Sequence, residues 1–226
     1  MAEVYHLLNR GVDKRKIFLD EQDHFRFIHD LYEFNDEEWA NNGTYFFKKY
    51  KDIGHPYIQE RQPRKLIVDI HSFSLMPNHY HLMVSPRVEN GISLFMKKLN
   101  GGYAKYFNEK YERSGALFQG KYKSVHIIAE SHFIHLPYYI HCNSLDLLGI
   151  NWRNRNIKNY KEAIKFLELY RWSSHLDYLG KKNFPSVISK NFLNEYFDGE
   201  IGYKNSINNW LRNLDIEQVS SVALET

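Results

Sequence analysis

The sequence predicts an α+β fold of the ferredoxin-like split βαβ kind. Its elements run βαββαβα, forming an antiparallel sheet with helices on one face and a helical C-terminal extension. Three observations predict this. Two apolar strand-like runs, 66–75 and 79–85, flank Met76-Pro77-Asn78 and read as a hairpin. A strand followed by a helix precedes that hairpin, and a helix followed by a strand succeeds it. A final helix, between 130 and 143, closes the set.

Each element has a local reason. Val4-Tyr5-His6-Leu7-Leu8 is a first strand, and a polar, basic turn follows at 9–16. Asp20 can cap a helix to about Phe34, because Phe25, Ile28, Leu31 and Tyr32 recur at helical spacing. Residues 36–64 lose that pattern. With Asn41-Asn42-Gly43 and Gly54-His55-Pro56 they read as an insertion or long loop. A helix over about 92–111 follows, with a bend expected at Gly101-Gly102, and Arg113-Ser114-Gly115 stops it. Residues 116–128 hold the next strand. The main domain is expected to span 1–150. A helical extension covers 151–226, with a helix near 160–170 and a frayed tail from about 218.

Composition narrows the class. Hydrophobic residues make up 43% of 226, enough for one substantial core. No apolar run reaches membrane-spanning length, and the N-terminus lacks a signal-peptide pattern. A single cysteine, Cys142, excludes an internal disulfide framework and a thiolate zinc finger, and suits a reducing cytoplasm. A net charge of +3 permits nucleic-acid binding without arguing for it. Most of the 17 tyrosines are expected in the core.

Two short motifs carry chemistry. In a strand, His79 and His81 point to one face and can grip one metal ion, while Tyr80 points to the other. An isolated His-x-His is more often a pair of half-exposed strand residues, so the pairing needs a second component. Pro137-Tyr138-Tyr139-Ile140-His141-Cys142-Asn143 supplies one. In a helix, Tyr139 and Asn143 share a face. Tyr139 could present a nucleophilic hydroxyl and Asn143 an amide oxygen to the same metal. Tyr138 is the competing nucleophile, since one residue of register rotates a helix by about 100°. Pro137 would kink a helix interior or else open the helix at its first turn, placing Tyr139 near the N-terminus.

With these segments in order, the chain resembles the single-tyrosine HUH transposases of the IS200/IS605 type, and more narrowly the REP-associated tyrosine transposases. The resemblance rests on Tyr5-His6 with Asn9-Arg10-Gly11, on Met76-Pro-Asn-His79-Tyr80-His81, and on the run from Ser114-Gly115 to Gly120 and Ser124. It continues through Tyr139-Ile-His-Cys-Asn143, Arg171-Trp172-Ser173-Ser174 and Asp177-Tyr178, covering roughly 4–180. Two positions depart from the family pattern: Ser144 where proline is common, and Lys121 where arginine is usual.

The resemblance implies an HUH endonuclease fold and a metal-dependent single-stranded DNA endonuclease and strand transferase acting on hairpin-containing, REP-like repeats. It further implies Tyr139 as nucleophile, a 5′-phosphotyrosine intermediate, and Mg²⁺ or Mn²⁺ held by His79, His81 and Asn143. Monomer and homodimer both occur in such relatives. Arg10, Lys14, Arg15, Lys97, Lys98, Lys105, Lys121 and Lys123 are candidates to track the DNA backbone, although any one such cluster is ordinarily a solvated charged face. The alternative function is a catalytically silent protein, derived from a transposase, that binds structured DNA or RNA. A zinc hydrolase is a remote third reading, for want of a third ligand.

Overall fold

The computed structural model describes residues 3–38, 46–47, 53–54, 63–150, 152–154, 157 and 159–212. The expected frayed tail lies outside them, as does most of the 36–64 insertion. Along the chain come β1 (Val4–Arg10), α1 (Glu21–Glu33), the two-residue strands β2 (Phe46–Phe47) and β3 (Ile53–Gly54), β4 (Val68–Met76), β5 (His79–Pro86), α2 (Gly91–Lys110), β6 (Lys123–Ile127) and α3 (Glu130–Cys142). The extension adds α4 (Tyr160–Leu167), α5 (His175–Tyr178), α6 (Asn191–Phe197) and α7 (Gly199–Arg212). The main sheet is antiparallel in the order β4-β5-β1-β6, and β2 pairs with β3. This is the split βαβ arrangement, with β1 and β5 at its centre.

Strand register divides the side chains into two unlike faces. Leu7 lies opposite Leu82 and Asn9 opposite Tyr80 on one face. His6 with Met83, Leu8 with His81 and Arg10 with His79 occupy the other. Helices α1 and α2 cover the first face: the Tyr80 ring stands 4.7 Å from Phe27, and Phe27 stands 4.9 Å from Tyr103. The expectation of helices on one face holds for these two. Helix α3 instead covers the second face, so the sheet is enclosed on both sides. A β-bulge between Ile70 and Ser72 restores the alternation of β4, and Ser72 and Ser74 face the same side as His81.

Local chemistry explains the helix ends. Asp20 caps α1 by accepting from the Asp23 backbone N–H at 2.9 Å, and the Asp23 carboxylate accepts in return from the Asp20 N–H. Asp23 is buried and also accepts from the Tyr111 hydroxyl and the Lys110 ammonium, at 2.7 and 2.8 Å, which ties α1 to the end of α2. Helix α2 runs without interruption through Gly101-Gly102. Gly102 is needed for close packing, since a Cβ there would fall 2.2 Å from the Phe34 ring.

Pro137 sits inside α3 rather than in its first turn, because the helix begins at Glu130. Its missing N–H costs one helical bond, and Tyr139 therefore lies in the last turn, not near the N-terminus. Burial compensates: every residue from Leu136 to Cys142 is buried.

The extension seals the outer edge of β4. The Leu75 N–H donates to Trp172 O at 2.8 Å and the Ser174 N–H to Phe73 O at 3.0 Å. That contact removes an open strand edge. Among the described residues, no helix is long and apolar enough to cross a membrane.

Candidate active site

The site forms where the last turn of α3 lies on the polar face of the sheet. His79 and His81 project from β5 with ring centroids 5.0 Å apart. His79 Nδ1 is 2.6 Å from Asn78 Oδ1, and His81 Nδ1 is 2.9 Å from His6 Nε2. Among the described residues neither ring's Nε2 has a hydrogen-bond partner, so one nitrogen of each remains free to bind. Burial lowers the His79 pKa to about 4, and the nearby cations Arg10 and Arg153 add to this. His81 is lowered well below the usual value, first by burial, then by repulsion from His79, His6, Arg153 and Arg10. Both rings are therefore neutral at pH 7, the form that donates a lone pair to a metal.

Tyr139 meets His81 and, beside it, His6. Its ring stands edge-on to His81 at 5.9 Å and to His6 at 6.1 Å. The ring is buried, and among the described residues its hydroxyl has no hydrogen-bond partner. Tyr138 turns the other way, into Phe197, Tyr203 and Trp210, with centroids 5.4 to 6.2 Å distant. The register thus brings Tyr139, and not Tyr138, to the histidines.

Asn143 follows α3 directly, where its backbone N–H and its side-chain Nδ2 both donate to Tyr139 O. Its Oδ1 accepts from Arg153 Nη2. Arg153 in turn donates from Nη1 to Asp146 at 2.6 and 2.8 Å, and its guanidinium lies 5.5 Å over the Tyr139 ring and 4.2 Å over Trp152. An amide oxygen carries two lone pairs, so one bond from Arg153 leaves one for a cation. Among the described residues, no three His, Cys, Asp or Glu side chains gather as a metal cluster. The side chains that could hold a divalent cation are the two imidazoles and the amide oxygen, with the remaining positions left to water or substrate.

The basic candidates separate. Arg10 is the register partner of His79. Lys123 pairs with Leu8 and so faces the site's side of the sheet. Lys14 and Arg15 are exposed in the turn after β1, and Lys121 is exposed just before β6. Lys97, Lys98 and Lys105 belong to α2, across the sheet from the histidines, and the structure does not bring them to this site. Lys98 is bound to the carbonyls of Asp36 and Glu38, and Lys105 pairs with Glu109 at 3.8 Å. Their helical spacing was legible, but the side of the sheet that α2 covers was not. His71, at the β4 bulge, bonds Ser85 at 2.8 Å and packs on Phe192.

Sequence reasoning passed over His6 and Arg153. His6 had a signal, since it alternates with Leu8 and Arg10 on β1. Arg153 had none, lying in the aperiodic run Asn151-Trp-Arg-Asn-Arg-Asn156.

Comparison with known proteins bears on this arrangement. Residues 43–143 match the family described as "Transposase IS200 like", a segment that contains His79, His81, Tyr139 and Asn143. The resemblance to the IS200-like transposases is shown. His6, Arg10 and Arg153 lie outside the matched segment. Among solved structures, "Structure of the REP associates tyrosine transposase bound to a REP hairpin" aligns at 11% identity with a TM-score of 0.48. It covers 84% of this chain and 87% of that one. No curated protein matches the chain.

Proposed function

We propose that this protein is a single-tyrosine DNA strand transferase that nicks and rejoins single-stranded DNA at hairpin-bearing repeats. The observation that carries the reading is the placement of the Tyr139 ring edge-on to His81, on the same sheet face as His79. His79, His81 and Asn143 would hold Mg²⁺ or Mn²⁺, which supplies charge neutralisation at a non-bridging phosphate oxygen.

The protein's own groups do the rest. The Tyr139 oxygen attacks phosphorus and loses its proton to solvent, forming the 5′-phosphotyrosine bond. The bond from phosphorus to the 3′ oxygen breaks, and that oxygen leaves as a 3′-hydroxyl after taking up a proton. Attack by another 3′-hydroxyl reverses these steps and rejoins strands, because the phosphotyrosine ester conserves the bond energy. The Arg153 guanidinium lies over the Tyr139 ring, 5.5 Å from its centroid, and places a cation at the site that would face the phosphate. Trp152, 5.7 Å from the Tyr139 ring, limits the ring's rotation. Arg10 and Lys123 lie on the side from which a phosphate backbone would approach.

The test is incubation with a panel of labelled single-stranded hairpins and Mn²⁺, followed by denaturing electrophoresis and peptide mapping. The expected result is a covalent adduct lost in Tyr139→Phe and in His79→Ala but kept in Tyr138→Phe. An adduct that survives Tyr139→Phe overturns the assignment of the nucleophile. The engagement of Asn143 Oδ1 by Arg153 favours a second reading, a silent binder of structured DNA. Hairpin binding without any adduct would establish that reading instead.

A further inference from the structure

His6 stands in the middle of β1, fully buried, at the diagonal position to His81 across the central strand pair. The two rings are nearly parallel, at 17°, and His6 Nε2 lies 2.9 Å from His81 Nδ1. No other hydrogen bond of His6 occurs among the described residues, and its Nδ1 is buried without a partner. A buried polar group satisfied on one side only is costly, and in native proteins such groups concentrate at functional sites.

A hydrogen bond between two neutral imidazoles couples their tautomers, because only one of the two facing nitrogens carries a proton. In one arrangement His81 Nδ1–H donates to His6 Nε2, and His81 Nε2 is left with its lone pair. In the other, His6 Nε2–H donates to His81 Nδ1, and the proton of His81 sits on Nε2, where it would block a metal. We infer that His6 is a positioning residue, which accepts from His81 Nδ1 and so turns the His81 Nε2 lone pair toward the cation. This rests on the metal site proposed above. It is the role that a carboxylate or carbonyl usually plays behind a metal-binding histidine. Here the partner at His81 Nδ1 is instead the imidazole of His6.

The experiment titrates the purified full chain with Mn²⁺ and follows free Mn²⁺ by electron paramagnetic resonance. It compares the wild type with His6→Phe, His6→Gln and His79→Ala. His6→Phe keeps ring bulk without an acceptor, and His6→Gln places an amide oxygen near the former Nε2. The expected result is roughly 10- to 100-fold weaker binding in His6→Phe, with most of the loss recovered in His6→Gln. Long-range ¹H–¹⁵N spectra of the Mg²⁺-loaded wild type should show His81 protonated at Nδ1. Equal affinity of His6→Phe and wild type, or His81 protonated at Nε2, overturns the role of His6 alone. A wild type that takes up no Mn²⁺, or a His79→Ala variant that binds as tightly, overturns the metal site itself.

Discussion

The two faces of the central sheet are built on opposite principles. Beneath α1 and α2, Leu7, Phe73, Leu75, Tyr80, Leu82 and Val84 pack as a buried apolar layer. Its polar atoms are paired, as where the Tyr80 hydroxyl donates to Asn100. Beneath α3, the same three strands present His6, His81, Ser72 and Ser74, all buried, and among the described residues the Nδ1 of His6 and both serine hydroxyls have no partner. One face supplies stability through area removed from water. The other sacrifices some of it by burying polar groups without full compensation. Incomplete pairing on the second face coincides with the place where Tyr139 meets His81, as expected where chemistry and stability compete for the same positions.

The sharpest way to break this comparison is a pair of substitutions. Leu82→Ala should destabilise the protein by about 2–5 kcal/mol, read as a lowered urea midpoint, while the folded fraction retains adduct formation. Tyr139→Phe should abolish the adduct and change stability by less than about 1 kcal/mol. If Tyr139→Phe unfolds the protein, the hydroxyl is structural and the division between faces fails.

Acid should weaken the polar side next. Burial holds His6 at about 4 and His175 at about 3. Below the unfolded value near 6.5, the unfolded chain binds protons that the native state refuses. Stability is therefore full above pH 6.5, falls as pH drops, and levels off only below the folded values. Each such histidine contributes a slope of roughly 1.4 kcal/mol per pH unit within its window. Urea midpoints measured from pH 7.5 to 4.5 should fall with pH, and replacing His6 with Gln should flatten the curve. A curve level from pH 7 to 5 would contradict the buried neutral rings.

The smallest effects distinguish an orphaned group from a tight contact. Ser74→Ala removes a buried hydroxyl that has no partner among the described residues, and should be neutral or stabilising, by up to about 1 kcal/mol. On the exposed side of α2, Gly101→Ala meets open space and should stabilise the helix by about 0.5–1 kcal/mol. Gly102→Ala drives a methyl into Phe34 and should destabilise it. Thermal denaturation of the three variants gives the signs. A loss of stability in Ser74→Ala would mean that its hydroxyl has a partner in solution.

Much of this was legible in the sequence because it is periodic. The hairpin around Pro77-Asn78, the Asp20 cap and the i, i+2 histidines each follow from spacing within a few residues. The place of Pro137 was not legible, because the eight residues from Glu130 that put it inside α3 show little amphipathic periodicity. The side of the sheet that each helix covers depends on crossover geometry, so the sequence places Lys97, Lys98 and Lys105 on one helix without showing that α2 lies across the sheet from the histidines. Arg153 reaches Asn143 from ten residues away through an irregular turn, and no local pattern encodes such a contact.

The single thiol of the chain closes α3, three residues beyond Tyr139, and is wholly enclosed. Burial raises its pKa far above the ordinary thiol range, so it is inert while the helix is seated. Cys142 is thus a built-in clock. In the unmodified protein, the rate at which a thiol reagent labels it measures how often the last turn of α3 lifts from the sheet, by local opening or global unfolding. Comparing that rate with the rate of global unfolding separates the two, and repeating it with a hairpin present shows whether substrate holds the tyrosine's helix down or frees it.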